Sequence, residues 1–194
     1  MARFTTPLLD VIKGFAERSF YFLENEGRIV GLISIANLNC RQVGVYLFSL
    51  LSELEVEMGN LIAKDCDEWE LVALTFGTGS KSKDDYARKR YVRDRAKGVD
   101  VPVVEYLHLS DIVNVIRKKR LFKKLGYESA KKYDVALGPL VKLRDKLAHP
   151  ARSLLQDSQS GHKLWDQLDR IEKILAHLRS DSPRAHARTA SGQS

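Results

Sequence analysis

The chain has 194 residues, 44% of them hydrophobic and 29% charged, a balance that suits a folded chain and argues against a fibrous or wholly disordered one. No run approaches the roughly 18 uninterrupted apolar residues of a membrane helix, and the chain does not begin with a charged segment ahead of an apolar core, so neither a span nor a secretion signal is expected. The net charge of +7 is uneven: residues 1–80 hold 6 basic and 11 acidic side chains, net −5, whereas residues 81–132 hold 16 and 7, net +9. That asymmetry suggests two units with different tasks, the basic one suited to a polyanion.

In chain order, Thr6 to Glu17 reads as a short helix, with Thr6 as N-cap, Pro7 at the first position, and Leu8, Leu9, Ile12 and Phe15 on one face. Ser19 to Leu23 and Arg28 to Ile35 read as strands joined by the turn Glu24 to Gly27, a β-hairpin. From about Arg41 to Ala63 a long amphipathic helix is expected. Leu47, Leu50, Leu51, Leu54, Met58, Leu61 and Ile62 form its stripe. Cys40 and Cys66 stand apart with no histidine at ligand spacing, so two reduced thiols, no metal site and a cytoplasmic location are expected.

Trp69 to Phe76 is apolar and fits either a helix end or a strand, and Gly77 to Ser80 reads as a loop. Asp84 to Lys97 looks helical but carries Arg88, Lys89, Arg90, Arg93 and Arg95 almost all round, so little of it can be buried. Pro102 to Leu107 reads as a short extended segment. Ser110 or Asp111 caps a helix to Lys124, ended by Gly126. Ser129 opens a helix towards Leu147 with a kink or break at Gly138-Pro139, and Pro150 closes it. His162 to Leu178 is the last helix, with Leu164, Leu168, Ile171, Leu175 and Leu178 inward. Residues 181–194 are polar and are expected to be disordered.

The segment Val141-Lys-Leu-Arg-Asp-Lys-Leu-Ala-His-Pro150 carries the clearest chemistry. Arg144, Asp145 and His149 form an Arg-x4-His array with an acid directly after the arginine. Arg170 with His177 and Arg179 with His186 fit a looser spacing, but Ile171 and Ser180 stand where the acid would be. An arginine offers a rigid fork to a phosphate, and an imidazole can act as proton acceptor or donor near neutral pH. A structural reading of the same residues is a cation favoured by the helix dipole, an ordinary His-Pro stop and a local Asp145–Arg144 pair.

The array, in a penultimate helix before a loop and a closing helix, resembles the signature of the higher eukaryotes and prokaryotes nucleotide-binding (HEPN) family. The resemblance implies an all-α bundle acting as a metal-independent endoribonuclease. In it the 2′-hydroxyl of RNA attacks phosphorus, with Arg144, Asp145 and His149 catalytic. It also implies a homodimer that brings two motifs into one cleft, in a stress or phage-defence setting. Lys142, Lys146 and Arg152 flank the motif as candidate phosphate contacts, and Arg90, Arg93, Lys119 and Arg120 as candidate RNA contacts from the basic middle.

The N-terminal order of helix, strand, turn, strand and long helix, with Phe20-Tyr-Phe-Leu-Glu-Asn-Glu-Gly-Arg-Ile-Val-Gly-Leu-Ile-Ser-Ile-Ala-Asn-Leu38 at its centre, resembles a cystathionine β-synthase (CBS) repeat. That resemblance places Ser34 and Asn37 where such repeats hold a nucleotide's ribose or phosphate, although Asn37 stands in place of the usual aspartate. The repeat lacks its first strand in this reading and is single, so a second copy from a partner chain would complete a pair.

The expected fold class is therefore α+β, a small CBS-like helix–hairpin–helix unit followed by an all-α HEPN-like helical bundle. The expected units are residues 1–63, residues 64–180 with the basic middle, and the tail 181–194. RNA is the expected partner, with no membrane and no cofactor; an adenine nucleotide is a candidate ligand of the CBS-like unit. Two alternatives remain at this point: a non-catalytic RNA- or nucleotide-binding module with a dimerising or sensing unit, and a DNA-binding regulator using the same basic helices.

Overall fold

A computed structural model describes residues 1–3, 5–76, 85–149, 154–155 and 160–181, with the side chains of residues 85, 160 and 181 outside the description. The chain opens with β1 (Ala2–Arg3), α1 (Leu8–Gly14), β2 (Phe20–Asn25) and β3 (Arg28–Ser34), in sheet order β1-β2-β3. The hairpin turn is tighter than expected. Glu26 and Gly27 alone carry it, both with positive φ (50° and 77°), the geometry a two-residue hairpin turn demands. Leu23 and Glu24 flank a register shift against β3. A further strand that the sequence reading did not anticipate precedes α1. β1 pairs in parallel with β2, Ala2 beside Leu23, and is too short to leave a periodic signal. At α1 the cap is Pro7, while the Thr6 hydroxyl accepts the backbone N–H of Arg3 at 2.9 Å.

The long helix α2 (Arg41–Asp65) follows a short 3-10 turn at Ile35–Asn39. Leu47, Leu51, Leu54, Met58 and Ile62 of its stripe are completely buried. Each such side chain contributes about 1.5–3 kcal/mol of burial, which makes α2 the axis of the structure. It packs against α5 (Leu109–Lys118), α6 (Ala130–Ala148) and α7 (Ser160–Asp181). One continuous core runs from Ala2 to Leu178, so α2 serves the sheet and the bundle at once. The architecture is mixed: a small three-stranded sheet beside a helical bundle.

In the middle of the chain, Trp69 to Phe76 belongs to a helix, α3 (Glu68–Phe76), and α4 (Asp85–Ala96) carries the basic residues on an exposed surface, with Ala87 buried. The loop expected at Gly77 to Ser80 lies outside the described residues, as does the tail beyond Asp181.

Several sequence expectations are corrected here. Residues 103–106 form a 3-10 turn rather than an extended segment, because Val103 and Tyr106 turn inward together. The helix expected to reach Lys124 stops at Lys118. Arg120 adopts a left-handed φ of 58°, and a 3-10 turn at Leu121–Leu125 then buries Leu121, Phe122 and Leu125. This helix is capped by His108 with Asp111, not by Ser110.

The break offered as one outcome at Gly138-Pro139 does not occur. The helix α6 runs through Pro139 unbroken from the Ser129 cap, whose hydroxyl accepts the N–H of Lys132 at 3.2 Å. Proline removes the N–H that would bond the carbonyl of Val135. Arg170 of α7 donates to that carbonyl and to the carbonyl of Ala136, each at 3.4 Å, which offsets the lost bond.

Candidate functional site

Buried Leu140 and Leu143 set the inner face of the last turns of α6, and Arg144 sits at the edge of that face. Its side chain is 21% exposed. The Nε of Arg144 donates to Oε1 of Glu55 on α2 at 3.0 Å. The same oxygen accepts the backbone N–H of Leu109 at 3.2 Å, one of the unsatisfied donors at the start of α5. One carboxylate therefore ties α2, α5 and α6 together. The Arg144 guanidinium also lies 5.9 Å from the ring centre of Phe48, two helical turns before Glu55. Both Nη groups of Arg144 have no partner among the described residues.

Asp145 and His149 do not join this arrangement. Both are exposed, and neither side chain has a hydrogen-bond or ion-pair partner among the described residues. His149 is the C-cap of α6, its backbone N–H bonded to the carbonyl of Lys146 at 3.1 Å. The backbone of His149, with φ −116° and ψ 78°, has already left the helical path that Arg144 follows. The carboxylate that holds the arginine is that of Glu55 rather than that of the adjacent Asp145. Of the flanking cations, Lys142 is exposed, Lys146 lines a groove, and Arg152 lies outside the described residues.

That groove has a volume of about 660 Å³ and lies between the first turns of α2 and the last turn of α6. Val45, Phe48 and Leu147 give it an apolar lining, with Arg41 and Lys146 beside them. One end is fixed by Asn39, whose side-chain amide exchanges hydrogen bonds with the backbone of Leu155 at 3.1 and 2.8 Å.

The basic middle is more paired than its composition suggests. Arg90 stacks over Tyr106 at 5.5 Å, and Arg93 binds Asp94 at 3.1 Å, a contact that holds the Asp94 carboxyl below its ordinary range. Arg95 bridges Glu68 and Asp100, and the Glu68 hydrogen bond raises its pKa further. Lys119 binds Glu70 at 2.5 Å, which raises the lysine's pKa, while Arg117 binds Asp134 and Lys124 binds Asp65. Arg120 is exposed with no partner among the described residues.

At the sheet, Ser34 and Asn37 form a reciprocal cap on the 3-10 turn, the Ser34 N–H and hydroxyl both donating to Oδ1 of Asn37 at 2.8 and 3.0 Å. They border a cavity of about 290 Å³ that Arg3 and Thr6 also line. Among the described residues no group of three or more His, Cys, Asp or Glu side chains is placed to hold a metal, and no helix is long and apolar enough to cross a membrane. Burial pushes the Cys66 thiol up, whereas Cys40 is exposed at the groove.

Sequence reasoning missed Glu55 and Phe48. The available signal was a carboxylate four residues after Leu51 and directly after Leu54, on the border of an otherwise apolar stripe. Comparisons with protein-family models, curated proteins and solved structures find no match for this chain.

Proposed function

We propose that this protein is a metal-independent endoribonuclease of the HEPN type. The observation that carries the reading is the guanidinium of Arg144: anchored through Nε by Glu55, it keeps two Nη groups for a phosphate. In the proposed reaction His149 accepts the proton of the RNA 2′-hydroxyl. The 2′-oxygen bonds to phosphorus as the bond to the 5′-oxygen breaks, and Arg144 offsets the charge gathering on the phosphoryl oxygens. The leaving 5′-oxygen takes a proton from a second donor, giving a 2′,3′-cyclic phosphate and a 5′-hydroxyl. Because one imidazole cannot take the 2′-hydroxyl proton and supply the leaving group's proton in the same step, that donor is assigned to His149 of a second copy, in a homodimer whose two motifs share a cleft.

The test is cleavage of labelled single-stranded RNA in EDTA. Wild-type protein is expected to cut with cyclic-phosphate ends. His149→Ala is expected to lose about 10²–10⁴-fold in rate with RNA binding kept, and Arg144→Ala to lose both cleavage and affinity.

A second reading has its own observation. Arg144 is already paired with a carboxylate, and Asp145 and His149 are not organised around it, an arrangement that suits a non-catalytic RNA- or nucleotide-binding module. Its sensing unit would be the CBS-like sheet, with an adenine nucleotide in the cavity beside Ser34 and Asn37. RNA bound but uncut by wild-type protein would favour it over the nuclease.

A further inference from the structure

Among the described residues, the groove beside Arg144 is lined by Arg41 and Lys146 and by no acidic side chain, and neither cation has an acidic partner. Its lining includes Phe48, 39% exposed, and Val45, more exposed still. Its volume of about 660 Å³ falls within the range of small-ligand clefts. The hairpin also exposes large apolar side chains, Phe20, Phe22 and Leu32 among them, but none of these three lines the cavity beside Arg3. At the groove, an exposed aromatic ring and unpaired cations meet in one concave site, and the same ring lies under the Arg144 guanidinium.

We propose that this groove seats one unpaired nucleotide of an RNA strand, its base against Phe48 and its phosphate between Arg41 and Lys146. The inference rests on the RNA reading above and specifies how that RNA is held next to Arg144. Unpaired bases recognised by proteins stack on aromatic side chains while cations track the backbone. A strand in this groove runs past the end of α6, where His149 is the cap. A second copy of this chain is the poorer fit. Groove facing groove across a two-fold axis would set Arg41 and Lys146 against their own copies, with no carboxylate among the described lining residues to compensate.

The test uses a 2′-O-methyl oligonucleotide carrying one 2-aminopurine, which the proposed reaction cannot cut. Binding to wild-type protein is expected to quench its fluorescence by stacking. Phe48→Leu, which keeps an apolar side chain in place, is expected to lose the quenching and weaken affinity by roughly 5- to 150-fold. Arg41→Ala and Lys146→Ala should each flatten the dependence of log affinity on log salt by about 0.7. The unmutated protein gives an independent readout: the oligonucleotide should slow maleimide labelling of Cys40, which lines the groove, without changing that of buried Cys66.

Full quenching and unchanged affinity in Phe48→Leu would overturn the proposal. So would a Val45→Glu protein that dissociates from dimer to monomer yet binds the oligonucleotide as before, since the occupant would then be a second copy. Because the probe is uncleavable, a missing nuclease activity leaves these readouts intact. Cleavage that persists without quenching would remove the groove and keep the nuclease.

Discussion

Between Asp85 and Lys124 the chain is dense in cations, and most of them are paired; around the end of α6 cations are fewer, and several face open space. Arg93 has Asp94, Arg95 has Glu68 and Asp100, Lys119 has Glu70, and Arg90 is stacked on Tyr106. Arg41, Lys142 and Lys146 have no acidic partner among the described residues, and Arg144 keeps both Nη groups after pairing with Glu55. Net charge along a sequence therefore misplaces the available charge. Arg95 commits both of its Nη groups to carboxylates and has few N–H groups left for a phosphate, whereas Arg144, held through Nε, keeps two.

The sharpest way to break this comparison is Glu55→Ala. It strips the acceptor from both Arg144 and the Leu109 N–H, at side chains about one-fifth exposed, and is expected to cost about 1–3 kcal/mol in urea unfolding. Glu55→Gln retains an acceptor and should cost less. Equal stability of wild type and Glu55→Ala would show that Arg144 needs no tether.

Next in size is a contrast in RNA binding. Arg144→Ala should weaken binding several-fold, whereas Arg95→Ala and Lys119→Ala, whose cations are held by carboxylates of their own protein, should leave it within error in a titration at fixed salt. The reverse ranking would return the RNA interface to the basic middle.

The smallest effect is on acid stability. The Arg93 contact lowers the Asp94 pKa from 3.8, so the folded value lies below the unfolded one. The pair's contribution is then present above about pH 3.8 and lost as pH falls through the lower folded value. Arg93→Ala should flatten the decline in melting temperature below that pH, and an unchanged acid limb would place Arg93 among the unpaired cations.

Elements with one apolar face were legible in the sequence. The spacing of Leu47, Leu51, Leu54, Met58 and Ile62 predicts α2, and that of Leu164, Leu168, Ile171, Leu175 and Leu178 predicts α7; these side chains are buried. The hairpin was readable from Gly27 between two apolar runs. β1 was not, since two residues carry no period. Nor was the break after Lys118, because the inward pattern continues through Leu121 and Leu125 while the backbone changes hand at Arg120.

The site shows the same division. Its arginine and histidine were found from their spacing in one segment, but the partner of that arginine stands 89 positions earlier in the chain. Asp145 was the natural choice from sequence because it is adjacent, yet adjacent residues on a helix point about 100° apart.

The sequence by itself determined which faces of the helices are apolar, where the hairpin turns, and that one helix ends in an arginine–histidine array. Those are local properties, written in spacing and in turn chemistry. Only the tertiary structure decided that Glu55 holds Arg144, that Arg170 answers the carbonyl freed by Pro139, and which cations stay unpaired. Each of these depends on elements far apart in the chain meeting across a shared core, and a pairwise contact of that kind leaves no period in either partner's own segment.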